Sequence, residues 1–194
     1  MADDGEPIAS RKTRADAVRN RARLLSTAKA AFAAKGSDAS LDEIARTAGV
    51  GAGTLYRHFP TRDALIEAVY LNETQQLADA ATQLAAGHPP VEALREWMRL
   101  FIDYIATKRV MAGALGSLIG GTSALYATST ALVTAALTML VDRAVASGEI
   151  RLELDPLDLL RALAGVANTG AGPDSAKQLV DILIAGLRAP KQAP

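Results

Sequence analysis

Thr54, Tyr56, Arg57 and His58 bring a hydroxyl, a phenol, a guanidinium and an imidazole together within five residues. The run before them, Gly49-Val50-Gly51-Ala52-Gly53, carries nothing larger than valine. A helix starting in that run shows its polar groups outward, where they can hydrogen-bond base edges and phosphates. That is binding chemistry rather than bond-making chemistry. The chain has no cysteine, which excludes disulfides, thiol catalysis and thiolate zinc sites. Its two histidines, His58 and His88, are linked by no motif to a carboxylate pair. No nucleophile, acid–base pair or metal constellation stands out, so no catalytic residue, no metal and no cofactor is assigned, and an enzyme is not expected.

The elements that must position those groups are legible as helices. Val18 to Lys35 is predicted as a first helix, with Leu24, Leu25, Ala28, Ala31 and Phe32 on one face and Gly36 as its stop. The residues up to about Asp16 are expected to form a flexible polar arm. Ser40-Leu41-Asp42-Glu43 reads as a capping box, with Ser40 accepting from the Glu43 amide and Glu43 reaching back to the Ser40 amide. The second helix buries Leu41, Ile44, Ala45 and Ala48 and ends at Gly49. A short third helix, about Ala52 to His58, buries Leu55 and Phe59 on its inner side. Two short helices around a glycine turn make a helix-turn-helix over about residues 40–59. Thr61 can cap a fourth helix running toward Leu84.

The zero net charge conceals an asymmetry. Residues 8–62 carry eleven Lys/Arg against four Asp/Glu, and residues 63–194 carry ten against fourteen. A basic lobe followed by an acidic one points to a polyanion partner for the first.

The stretch from Ser40 to Phe59, followed by Arg62-Asp63-Ala64-Leu65, resembles the signature of TetR-type bacterial regulators; with the first helix the resemblance covers about residues 18–75. It implies a three-helix DNA-binding domain, placed at 14–76, in a protein that acts as a homodimer on double-stranded operator DNA. Carried over by position, Ser40 caps the positioning helix and meets a phosphate, while Ala52, Gly53, Thr54 and Tyr56 face the groove. His58 and Arg62 touch the backbone. Gly51 stands where a serine cap is commoner and Ala52 where a basic residue is frequent, so base readout is expected to rest more on Tyr56 and Arg57. Arg11, Lys12, Arg14, Arg19, Arg21 and Arg23 would add phosphate contacts or a minor-groove arm.

After Gly87-His88-Pro89-Pro90 the helical period continues, for about nine helices in all, and the fold class is all-α; the resemblance implies that the domain at 77–194 senses a ligand and dimerises. Leu94, Trp97, Met98, Phe101, Ile102 and Ile105 stripe the fifth helix, and a sixth is expected from about Arg109 to Leu118. The seventh, about Ser123 to Ser147, is to bury Leu132, Val133, Ala136, Leu137, Leu140, Val141, Ala144 and Val145 on one face. Asp155-Pro156 starts an eighth, and Asp174 to Arg188 forms a ninth. Trp97, Phe101, Tyr104, Met111, Tyr126, Thr130 and Met139 are candidates to line a cavity, each with ordinary core as the alternative. Asp103 either borders that cavity or lies on the surface. The uncharged run Val110 to Val141 suggests a hydrophobic, neutral or weakly polar effector, with Lys108 and Arg109 at a solvent-accessible helix junction. Eight Ser/Thr and Gly120-Gly121 interrupt that run, so a buried helix pair is preferred over a membrane span. No signal peptide is expected, and the location is taken as cytoplasmic. The family's use of its two terminal helices implies a dimer interface with Leu163, Ala164, Ala167, Leu179, Ile182 and Gly186. The functional expectation is a repressor released by a small molecule; the alternative is a DNA-binding regulator without ligand control.

Overall fold

A computed structural model describes residues 8–168 and 172–188. Among them the chain forms nine α-helices and one 3₁₀ turn, with no strand beyond an isolated Ile150–Arg188 bridge. The helices are α1 (Ile8–Lys35), α2 (Leu41–Thr47), α3 (Ala52–His58), α4 (Arg62–Gly87), α5 (Pro90–Val110), α6 (Ala112–Gly116), α7 (Ser123–Ala146), α8 (Pro156–Asn168) and α9 (Pro173–Leu187).

α1 begins ten residues before the sequence reading placed it. The preceding residues, including Arg11, Lys12 and Arg14, are good helix formers and need no apolar stripe to stay helical. The side chains of those three residues lie outside the described ones. Further along α1, Leu24, Leu25, Ala28 and Phe32 are buried. The capping box forms by half: Ser40 Oγ accepts from the Glu43 amide at 3.3 Å, but the Glu43 carboxylate takes the Lys35 ammonium at 2.6 Å instead of reaching back. That ammonium holds the Glu43 carboxyl below its usual range.

The described helices make two compact units. The first holds the chain through Val69 and takes back residues 110–121; the second holds Tyr70–Arg109 and the chain from Thr122. The division therefore differs from a single cut at residue 76. In the first unit α6 lies against the 3₁₀ turn Gly36–Asp38, and the Asp63 carboxylate accepts from the Ile119 amide at 3.1 Å. Leu24, Phe32, Ile44, Leu55, Phe59 and Leu65 are its core.

In the second unit the α5 stripe is buried as predicted, and Trp97 Nε1 donates to the Leu77 carbonyl at 2.8 Å. Asp155 caps α8 by accepting from the Leu157 amide at 2.7 Å. Arg99 holds Asp181 of α9 with N···O distances of 3.0 and 2.9 Å, and Asp103 pairs with Lys177, which places Asp103 at the surface. Among the described residues α7 is the one helix long and apolar enough to cross a bilayer. Its Val133, Ala136, Leu137, Leu140, Val141 and Ala144 are buried within this chain, whereas Val145, expected on that face, is exposed.

Candidate nucleic-acid interface and a cavity in the second unit

The geometry around α3 follows from what precedes it. Gly49 takes φ +67°, a conformation L side chains rarely adopt, and so turns the chain sharply after α2. Gly51 is the N-cap of α3 and offers no side-chain cap; its carbonyl accepts from the Thr54 and Leu55 amides at 2.9 and 3.2 Å. Leu55 and Phe59 anchor the inner side. Ser40, Gly51, Ala52 and Gly53 lie exposed around the turn, and Thr54 is partly covered. Tyr56 is 46% exposed and Arg57 is exposed beside it, and neither has a hydrogen-bond or ion-pair partner among the described residues. His58 is half-buried at the helix end, its ring 6.1 Å from that of Phe59.

Several basic groups expected to face outward are used within the unit. Arg62 donates to the Ser37 carbonyl at 2.9 Å and to the Ala39 carbonyl at 2.5 Å. Its guanidinium thereby ties the start of α4 to the loop before α2, a use within the unit that the sequence did not suggest. The reason is geometric: a planar fork with five donors suits two nearby carbonyls. Arg21 lies over the Phe59 ring, 5.3 Å from its centroid, Arg19 pairs with Asp16, and Arg23 bonds Asn20.

The second unit contains a cavity of about 360 Å³, within the range of small-molecule sites. α5 supplies Phe101, Tyr104, Ile105 and Lys108; α7 supplies Ser129, Thr130 and Val133. Tyr70 of α4 and Leu157, Leu160, Arg161 and Ala164 of α8 complete the wall. Of the residues singled out by sequence, Phe101, Tyr104 and Thr130 line it. Tyr126 stands behind, its ring 5.7 Å from that of Tyr70. Trp97 is fully buried and stacked on Phe101 at 5.9 Å, so it backs the wall rather than forming it. Two candidates do not belong. Met111 is buried in the first unit, because residues 110–121 return there, and Met139 is 36% exposed on the outer face of α7.

Tyr70, Thr74, Ser129 and Lys108 were missed. Tyr104 Oη donates to Tyr70 Oη at 3.0 Å and lies 3.1 Å from Thr74 Oγ1, which in turn bonds Ser129 Oγ at 3.4 Å. Burial, with the Tyr104 hydroxyl adding to it, pushes the Tyr70 phenol well above its ordinary range. Thr74, at helical spacing between the buried Tyr70 and Leu77 of α4, was the available signal for this network. Lys108, expected at an open junction, instead lines the cavity, with its ammonium 3.9 Å from the Tyr126 ring centroid. Burial holds it below the usual lysine range.

On α8 and α9 the expected interface residues separate. Leu163 and Ala167 are buried within the chain, and Ala164 faces the cavity. Ile182 is 65% exposed, Gly186 is exposed, and Leu179 is partly so. Leu163 and Ala167 are therefore core of the single chain: α8 turns its Leu159, Leu160, Leu163 and Ala167 stripe inward.

Residues 24–69 match the family model described as bacterial regulatory proteins, tetR family, and residues 89–189 match the model described as transcriptional regulator SbtR-like, C-terminal domain. The fold is similar to a TetR transcriptional regulator from Streptomyces coelicolor, at 48% identity and TM-score 0.79, covering 87% of this chain and 98% of that one. A TetR transcription regulatory protein from Mycobacterium vanbaalenii is 36% identical with TM-score 0.73, covering 91% and 99%. Among curated proteins, the probable acrEF/envCD operon repressor of Escherichia coli K12 is 34% identical over 100 residues, 50% of this chain and 46% of that protein. The chain thus spans about half the length of that relative or less.

Proposed function

The chain belongs to the TetR family of bacterial regulatory proteins, and from that premise we propose that it is a dimeric, cytoplasmic, DNA-binding repressor released from a palindromic operator by a small hydrophobic molecule. The observation that carries the DNA half is the pair Tyr56 and Arg57, exposed and unpartnered on a helix whose other side is locked by Leu55 and Phe59. In this reading α3 enters the major groove with Ala52, Gly53, Thr54 and Tyr56 toward base edges. Ser40 and His58 meet phosphates. Ala52 offers only a methyl, which packs on a thymine methyl, so discrimination rests on Tyr56 and Arg57.

The cavity supports the ligand half. Its lining is largely apolar and it lies within one unit. An effector acts there by binding one dimer geometry more tightly than another, since equal affinity for both shifts nothing. The exposed Ile182 and Gly186 on α9 supply a face for the twin subunit.

The test is operator binding by fluorescence polarisation with the promoter DNA upstream of the gene. Tyr56→Ala and Arg57→Ala are each expected to weaken specific binding by about 1–3 kcal/mol while leaving helicity unchanged. Unaltered affinity in both variants refutes the groove assignment. If no small molecule ever releases the DNA, control without a ligand becomes the better reading.

A further inference from the structure

Lys108 is the charged group of the cavity lining that makes neither a hydrogen bond nor an ion pair among the described residues. Its ammonium sits over two aromatic rings, 3.9 Å from the Tyr126 centroid and 5.8 Å from that of Tyr70, so it is held at the wall rather than swung into solvent. Ring faces attract a cation but accept no strong hydrogen bond. Among the described residues no acidic side chain lines the cavity, and Lys108 makes no ion pair. The other cation of the lining, Arg161, already holds Asp158 at 2.7 Å. The hydroxyls of Tyr70, Tyr104, Thr74 and Ser129 are engaged with one another. The remaining lining is dominated by apolar groups such as Phe101, Ile105, Val133 and Leu160.

A partly buried ammonium without a counter-ion is a costly feature unless something supplies the missing charge. We infer that the cavity takes a hydrophobic small molecule bearing a single anionic group, a carboxylate, which pairs with Lys108 while its apolar body lies against the Phe101 side. One unpaired cation matches one negative charge. A phosphate dianion would need further donors, and a cationic ligand meets two positive side chains and no negative one. This replaces the expectation of a neutral or weakly polar effector with a singly charged one, and it rests on the proposed reading of the cavity as an effector site.

The test uses phenylacetate, 4-phenylbutanoate and octanoate, each beside its primary amide and the amine of matching length. Binding to the full-length protein is followed by calorimetry and by the emission of Trp97, the chain's one tryptophan, stacked on the cavity residue Phe101 at 5.9 Å. At least one carboxylate is expected to bind about tenfold to a hundredfold more tightly than its amide, the range of a hydrogen bond to a charged group. Lys108→Met keeps the stem and should bring the carboxylate down to the amide's affinity without altering the amide; Lys108→Arg should keep the preference. Equal binding of carboxylate and amide, tighter binding of the amine, or a preference that survives Lys108→Met overturns the inference while leaving a hydrophobic effector site. Binding of none of the compounds, neutral or charged, refutes the effector reading and the inference with it.

Discussion

Arg62→Ala separates an architectural arginine from a phosphate-binding one. In the structure two guanidinium nitrogens reach the carbonyls of Ser37 and Ala39 at 2.9 and 2.5 Å, across 25 and 23 residues of sequence. A hydrogen bond to a charged group contributes about 1.5–3 kcal/mol when well buried. The Ser37 contact is exposed and the Ala39 contact part-buried, so screening reduces each, and about 1–2 kcal/mol for the pair is the reasoned total. Alanine removes both bonds and leaves two carbonyls to water, without a cavity in the core. Lysine should restore less than half, because one ammonium cannot fork to both acceptors. Urea unfolding followed by circular dichroism should show the alanine variant with a lower midpoint and an unchanged slope. The salt dependence of DNA binding is the second readout. A lost phosphate contact lowers the slope of log K against log salt by about one unit, whereas a lost loop clamp does not. An unchanged urea midpoint together with a slope reduced by one refutes the clamp and returns Arg62 to the DNA backbone.

Ile182→Asp should leave helicity intact and yield monomers in sedimentation, because that side chain is 65% exposed in the single chain. Leu163→Asp, at 0% exposure, should instead unfold the second unit, with a cost of several kcal/mol for a buried carboxylate; a folded Leu163→Asp monomer contradicts the inward placement of α8. Phe101→Ala removes a buried ring from the cavity wall and should cost about 3 kcal/mol or more, visible in urea unfolding; a negligible cost means the wall collapses to fill the space. The Tyr70 phenol titrates higher in the folded chain than when unfolded. Its contribution is fully present below the ordinary tyrosine value of about 10 and is lost as pH rises above it, because only the unfolded chain releases that proton readily. Tyr70→Phe should therefore lose stability less steeply than the unmodified protein between about pH 10 and 11; parallel alkaline limbs would show that the phenol titrates normally.

The sequence by itself determined the existence and order of the helices and the exposed short helix α3 that is proposed to face DNA. Gly49, the Ser40 cap, the stripe of α5 and the Asp155-Pro156 start are local signals, and local hydrogen bonding and side-chain period decide them. Tertiary structure decided which outward-looking residues stay free. Arg62 finds two carbonyls, and Glu43 prefers Lys35 to the Ser40 amide. Residues 110–121 return to the first unit and take Met111 with them. Periodicity locates a helix's apolar face but cannot say whether a neighbour in the same chain covers it, which is why Leu163 proved to be core while Ile182 stayed exposed. Lys108 shows the same limit. Its charge made it read as a surface residue, and only the packing of α4, α5, α7 and α8 around a shared cavity sets its ammonium over Tyr126, where burial rather than sequence position governs its chemistry.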